Sequence, residues 1–179
     1  MESMQLTYHQ AMKNRDIISV FTEEIDTEPF IVGCIIAITN DWILVNNISP
    51  NGCNDGLYLI SPQDIGRISS GGLYEEKIKK LYIMQKQTPL PDFHAKDLLS
   101  AILIFSQSND LLVSCDICNR NTFECCGYVE NIGNGTVTLH TYDDWGNAFS
   151  EIIVKMDYIS RIACNTDYEK NIKALISNS

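Results

Sequence analysis

Positive charge is scarce in this chain: 13 Lys and Arg stand against 23 Asp and Glu in 179 residues, a formal net charge of −10. The deficit is evenly spread. Residues 1–92 hold 7 basic and 12 acidic side chains and residues 93–179 hold 6 and 11, so each half carries −5. Nucleic-acid binding rests on clustered Lys and Arg that displace counterions from phosphates. The one cluster, Lys77, Lys79 and Lys80, reads as the solvated face of a helix, so nucleic acid is an unfavoured partner. Long apolar runs are missing too: Leu98 to Phe105 falls far short of the roughly 18–20 residues that span a bilayer, and no charged-then-apolar leader opens the sequence. No membrane is expected. The seven cysteines lack the even count of a disulfide framework, which argues for a reducing compartment and a cytoplasmic protein. Low-complexity and polar tracts are absent, and at 45% hydrophobic the chain is expected to fold throughout.

What the sequence does contain is a repeat. At a constant offset of 94, with no gap, thirteen positions are identical. Asp16, Gly33, Ile38, Asn40, Gly52, Ile65, Arg67 and Ile68 meet Asp110, Gly127, Ile132, Asn134, Gly146, Ile159, Arg161 and Ile162, and Tyr74, Glu75, Ile78, Lys79 and Leu81 meet Tyr168, Glu169, Ile172, Lys173 and Leu175. The pattern reads as one small domain duplicated. The expected division is a first repeat at 1–84, a linker at 85–96 marked by two prolines, and a second repeat at 97–179.

Each repeat reads the same way. In the first, residues 3–14 place Met4, Tyr8 and Ala11 at helical spacing. Strands are expected at Ile17 to Glu24, Phe30 to Thr39, Trp42 to Ile48, Leu57 to Ile60 and Ile65 to Ser69, with a hairpin turn at Asp26 to Pro29. Gly33 inside the second strand predicts a bulge or sharp bend. After Gly71-Gly72 a helix presents Tyr74, Ile78, Leu81 and Tyr82 on one face and pairs Glu75 with Lys79. In the second repeat, Leu98 to Ser106 is a helix apolar almost all round, hence buried. Strands follow at Leu111 to Ile117, Phe123 to Ile132, Thr136 to Tyr142, Phe149 to Lys155 and Tyr158 to Ala163, with a helix at Asp167 to Ile176.

A leading helix, five short strands, a glycine in the second and a long connection before the fourth resemble the Sm-like variety of SH3-like small barrels. Gly52 with Asp55-Gly56 and a strand ending in Arg67-Ile68 also looks like a bacterial tandem-repeat type of such protein. The resemblance implies a mainly β chain of two tandem five-stranded Sm-like barrels with flanking short helices. At the family's Ile-Arg-Gly-like motif this chain reads Asp64-Ile65-Gly66-Arg67-Ile68 and Tyr158-Ile159-Ser160-Arg161-Ile162, so no RNA-contacting residue carries over.

Chemistry-bearing residues give little. Cys115, Cys118, Cys125 and Cys126 have the types of a zinc site, yet at the repeat offset Cys115, Cys125 and Cys126 fall on Phe21, Ile31 and Val32, apolar strand positions. Adjacent Cys125 and Cys126 also face opposite ways on a strand. They read as small hydrophobes, and no metal or other cofactor is expected. His9, His94 and His140 are not duplicated, so nothing favours a Cys–His dyad. No catalytic residue is assigned. Asn51 to Asp55 reads as a turn before it reads as a calcium loop. The duplicated charges predict ion pairs, Asp16 with Arg67 and Asp110 with Arg161. The connection before the fourth strand diverges between repeats, and Asp143, Asp144 and Trp145 there are the candidate partner-binding residues. Against them stands Trp145 folding back onto its own barrel or onto the other repeat. The expectation is a non-enzymatic binding or adaptor protein with a protein partner, homo-oligomerisation being left open. An RNA-binding Sm-like protein and a small cysteine-dependent hydrolase are the alternatives.

Overall fold

The computed structural model describes residues 2–22, 31–87, 91, 93–118 and 123–177, with side chains from Thr7 onward. The hairpin turn expected at Asp26 to Pro29, the adjoining strand ends at Glu23, Glu24 and Phe30, the Met4 side chain and part of the linker lie outside the described residues. The protein is mainly β, with ten strands and four helices among the described residues. It divides into two compact units, residues 1–98 and 99–179.

The first unit runs α1 (Glu2–Asn14), β1 (Ile18–Phe21), β2 (Ile31–Ile38), β3 (Ile43–Ile48), β4 (Asn54–Ile60), a 3₁₀ turn (Pro62–Asp64), β5 (Arg67–Ser70) and α2 (Leu73–Met84). The second runs α3 (Leu98–Ser108), β6 (Leu112–Ile117), β7 (Cys125–Gly133), β8 (Thr136–Tyr142), β9 (Ala148–Lys155), a 3₁₀ turn (Met156–Tyr158), β10 (Ile159–Cys164) and α4 (Asp167–Ser177). Within the units the strand orders are β5-β1-β2-β3-β4 and β10-β6-β7-β8-β9, one plan used twice, and their ladders are antiparallel. Among the described residues the fourth strand of neither unit pairs with the fifth strand of the same unit, so each set of five is an open sheet where a closed barrel was expected. The fifth strand is committed to the first: all four residues of β5 pair with all four of β1.

Strand alternation sorts the first core onto two faces. Ile18 and Val20 of β1, Ile31 and Ile35 of β2, and Ile43 and Val45 of β3 pack with Tyr8 and Ala11 of α1. Ile17, Val32, Cys34 and Ile48 pack with Ile78 of α2, with Tyr82 against them. One helix therefore covers each face. Ile78 is fully buried, worth about 1.5–3 kcal/mol to the docking of α2. In the second unit Ile172 of α4 repeats that role against Leu112 and Cys126.

The repeated glycines are explained by close approach. A Cβ on Gly33 would lie 1.8 Å from the Asn46 carbonyl oxygen, and one on Gly127 would lie 2.4 Å from that of His140, the equivalent residue. The bulge expected at Gly33 lies further on, between Ile35 and Ala37, and recurs between Val129 and Asn131. Gly52 and Gly146 adopt φ of +80° and +78°, and a side chain on them would meet Leu81 and Leu175 respectively. These loops are pressed onto the last turns of α2 and α4.

The structure also corrects the repeat. Gly33 pairs with Ile18 but Gly127 with Val113, so the first strand and the helix before it are offset by 95, not 94. The backbone agrees: Arg15 and Asp110 share a left-handed φ of 54° and 53°, and Asp16 N–H donates to Ala11 as Leu111 N–H donates to Ser106. Asp16 and Asp110, identical in the ungapped comparison, are not equivalent. The single-residue slip falls between the first and second strands.

Candidate functional site

The slip reveals a shared polar device. With the first strands in register, Ser19 matches Ser114, and each hydroxyl donates to a buried glutamate, Glu75 and Glu169, at 2.5 Å. Each glutamate is the third residue of its helix. Glu169 Oε2 accepts from the backbone N–H of Thr166 (2.7 Å) and its hydroxyl (2.6 Å), the glutamate's half of a capping box at the head of α4. Burial pushes the Glu75 carboxyl up, but hydrogen bonds from Ser19, its own backbone, Ser69 and Gly72 outweigh that and hold it below the usual glutamate range. This arrangement ties helix to strand in both units. It replaces the expected pairing of Glu75 with Lys79.

The expected ion pairs are re-partnered as well. The ladders are antiparallel, so the start of the fifth strand meets the end of the first: Arg67 stands opposite Phe21, and Arg161 opposite Asp116. Arg67 lies over the Phe21 ring at 3.9 Å, while Arg161 bonds Asp116 at 3.2 Å and lies over Phe123 at 4.7 Å. Asp16 accepts instead from Asn14 (3.2 Å), and Asp110 takes Lys173 on both its carboxylate (2.8 Å) and its carbonyl. In the first unit Arg15 stands where Asp110 would. Lys79 there lines a hollow of about 160 Å³ with Asp16, Ser70, Glu75 and Glu76.

The candidate residues Asp143, Asp144 and Trp145 are brought together in the β8–β9 loop. Asp143 is the organiser: its Oδ1 accepts from the backbone N–H of Trp145 (2.9 Å) and Asn147 (2.8 Å), and its Oδ2 from the Asn147 side chain (3.0 Å). The Asn147 bonds hold its carboxyl below the usual aspartate range. Asp144 accepts from the Tyr168 hydroxyl of α4 at 2.6 Å. Burial, with Asp144 beside it, pushes the Tyr168 phenol up. The loop is thus fastened at Gly146 and at Tyr168, yet Trp145 points away and stays 78% exposed.

Sequence reasoning missed two neighbours. Phe149 (78% exposed) and Ile153 (69%) flank Glu151 at alternate positions on one face of β9, the end strand of its unit's order. Trp145, in the loop that leads into β9, is a third exposed large apolar side chain in this stretch. Their period-two spacing was visible, but their outward direction was not. In the first unit the positions of Glu151 and Ile153 hold Leu57 and Leu59, both buried.

The chain matches no family model, no curated protein and no solved structure. Among the described residues no group of His, Cys, Asp and Glu is placed to hold a metal ion, and no helix is long and apolar enough to cross a membrane. Cys125 and Cys126 fall on opposite faces: Cys126 packs with Leu112 and Ile172 beneath α4, while Cys125 sits beside Cys115.

Proposed function

We propose that this chain is a non-enzymatic binding or adaptor protein of the cytoplasm, built from two repeats of an Sm-like small-barrel plan, which docks a protein partner on the Trp145–Ile153 face of its second unit. One observation carries the reading. Trp145 is held out by a loop in which Asp143 accepts from the Trp145 and Asn147 backbone and Asp144 from Tyr168, and large aromatic side chains on a braced loop are what interface anchors are made of. Phe149 and Ile153 widen the apolar area, and the charge of −5 in each half disfavours nucleic acid as the occupant. The Sm-like reading is supported by a strand order that lays the fifth strand beside the first in both units.

Paired measurements test the site. Trp145→Ala and Phe149→Ser are expected to leave the thermal midpoint almost unchanged while abolishing co-purification of the partner retained by the wild-type chain. A large drop in midpoint, with co-purification by the remaining folded protein intact, would show these side chains to be structural and remove the site.

A further inference from the structure

Cys115 and Cys125 stand directly opposite each other across the β6–β7 ladder. Opposed residues in an antiparallel pair have Cα atoms about 4.5–5.5 Å apart, within the roughly 4.4–6.8 Å that a disulfide spans. In the first unit the same two places, matched through the 95 and 94 offsets, are Val20 and Ile31, which also face each other and are purely apolar. Both members of the pair are therefore cysteine in one unit and aliphatic in the other. We propose that Cys115 and Cys125 form a peroxide-reactive thiol pair, a modification site in which Cys125 meets the oxidant and Cys115 resolves it into an intramolecular disulfide.

The division of labour follows from placement. Cys115 is completely buried, whereas Cys125 is partly open, at the first residue of β7. The Cys125 sulfur lies 4.0 Å from the Cys115 carbonyl oxygen. A hydrogen bond from the Cys115 thiol favours the Cys125 thiolate, and the same bond, with burial, holds Cys115 protonated. Cys53 and Cys118 are more exposed, but neither faces a second cysteine across a ladder.

Cys125 gives its thiol proton to solvent, and the thiolate attacks one oxygen of a peroxide. The O–O bond breaks, hydroxide leaves to be protonated to water, and Cys125 becomes a sulfenic acid. The Cys115 sulfur then attacks the sulfenic sulfur; the S–S bond forms, the S–O bond breaks, and the leaving hydroxide takes the Cys115 proton as a second water. Two thiols lose two electrons and one peroxide gains them. The product staples β6 to β7 at the end that carries Asp116 and Phe123, which Arg161 bonds and overlies.

The test uses the reduced full chain treated with dilute hydrogen peroxide, then unfolded, alkylated and mapped by mass spectrometry. The expected result is a chain lighter by two hydrogens, with one linked peptide pair containing Cys115 and Cys125. Cys115→Ser is expected to halt at a sulfenic acid on Cys125 that dimedone traps, Cys125→Ser to abolish the linkage, and Cys118→Ser to leave it unchanged. Recovery of Cys115 and Cys125 both alkylated while Cys53 or Cys118 has been oxidised, or linkage of either to any other cysteine, would overturn the proposal. The wild-type map decides the matter if a variant fails to fold.

Discussion

The two units share a frame and differ in what they expose. The fourth strand displays the difference: β4 buries Leu57 and Leu59, whereas β9, at the same positions, exposes Glu151 and Ile153, with Phe149 beside them. The helix side differs in the opposite sense. Lys173 closes onto Asp110 in the second unit, while in the first the residue at that place is Arg15, and Lys79 lines an open hollow. Among what both units keep are the backbone close approaches at the glycines, the Ser–Glu tie and the buried isoleucine of the last helix, Ile78 and Ile172. Where side chains meet only solvent, the copies have drifted or taken on separate tasks.

The largest effects are expected where both units depend on a missing Cβ. Gly33→Ala sets a methyl group against a backbone carbonyl at 1.8 Å and is expected to cost about 3 kcal/mol, at the upper end of overpacking effects. Gly127→Ala, at 2.4 Å, is expected to cost less, and urea unfolding of the two variants ranks them. The reverse order would mean that the shared glycine serves different purposes in the two units.

Next come the glutamates. Glu169→Ala removes a cap, worth about 1 kcal/mol, and strands the buried Ser114 hydroxyl at about 1–3 kcal/mol more. Glu75→Ala is expected to cost less, since its helix begins at Gly72, which offers no side-chain hydroxyl to the carboxylate. Because the Glu75 carboxyl is held below its unfolded value, its contribution is present above the ordinary glutamate range, about 4.3, and is lost as pH falls through the lower folded value. The acid-unfolding midpoint of Glu75→Gln is therefore expected to shift less, relative to its neutral-pH stability, than that of the wild type.

These two devices were unevenly legible in the sequence. The glycines and Glu75/Glu169 appeared at once in the 94-residue comparison, and the strands fell within a few residues of their expected places because runs rich in β-branched and aromatic residues are bounded by turn residues. Ser19 and Ser114 stayed hidden, since a single-residue slip between the first two strands put Ser114 opposite Val20 in the ungapped comparison. The same slip made Asp16 and Asp110 look like a conserved ion-pair partner. Antiparallel register, which no spacing rule supplies, then sent Arg67 to Phe21 and Arg161 to Asp116. Exposure was the least legible of all: Leu59 and Ile153 are similar residues at one strand position, and only tertiary structure buries the first and leaves the second open.

A smaller effect sharpens the helix-side difference. Lys173→Met breaks an exposed pair and is expected to cost no more than about 1 kcal/mol. Arg15→Asp would place a carboxylate before Lys79 at a left-handed position that Asp tolerates. It is expected to stabilise the first unit by a few tenths of a kcal/mol, up to about 1, an effect that should fade in high salt. Smallest is Trp145→Ala, within about 0.5 kcal/mol of wild type.

The claim that the second unit carries the docking face is tested most directly by site-specific photocrosslinking in the native cell. A benzoylphenylalanine is placed at Phe149 or Trp145 and, for comparison, at the matching Asp55 or Asn51 of the first unit. The expected result is a discrete protein adduct from the two second-unit positions, abolished by Ile153→Lys, and none from Asp55 or Asn51. Adducts of equal yield from both units, or adducts indifferent to Ile153→Lys, would contradict it.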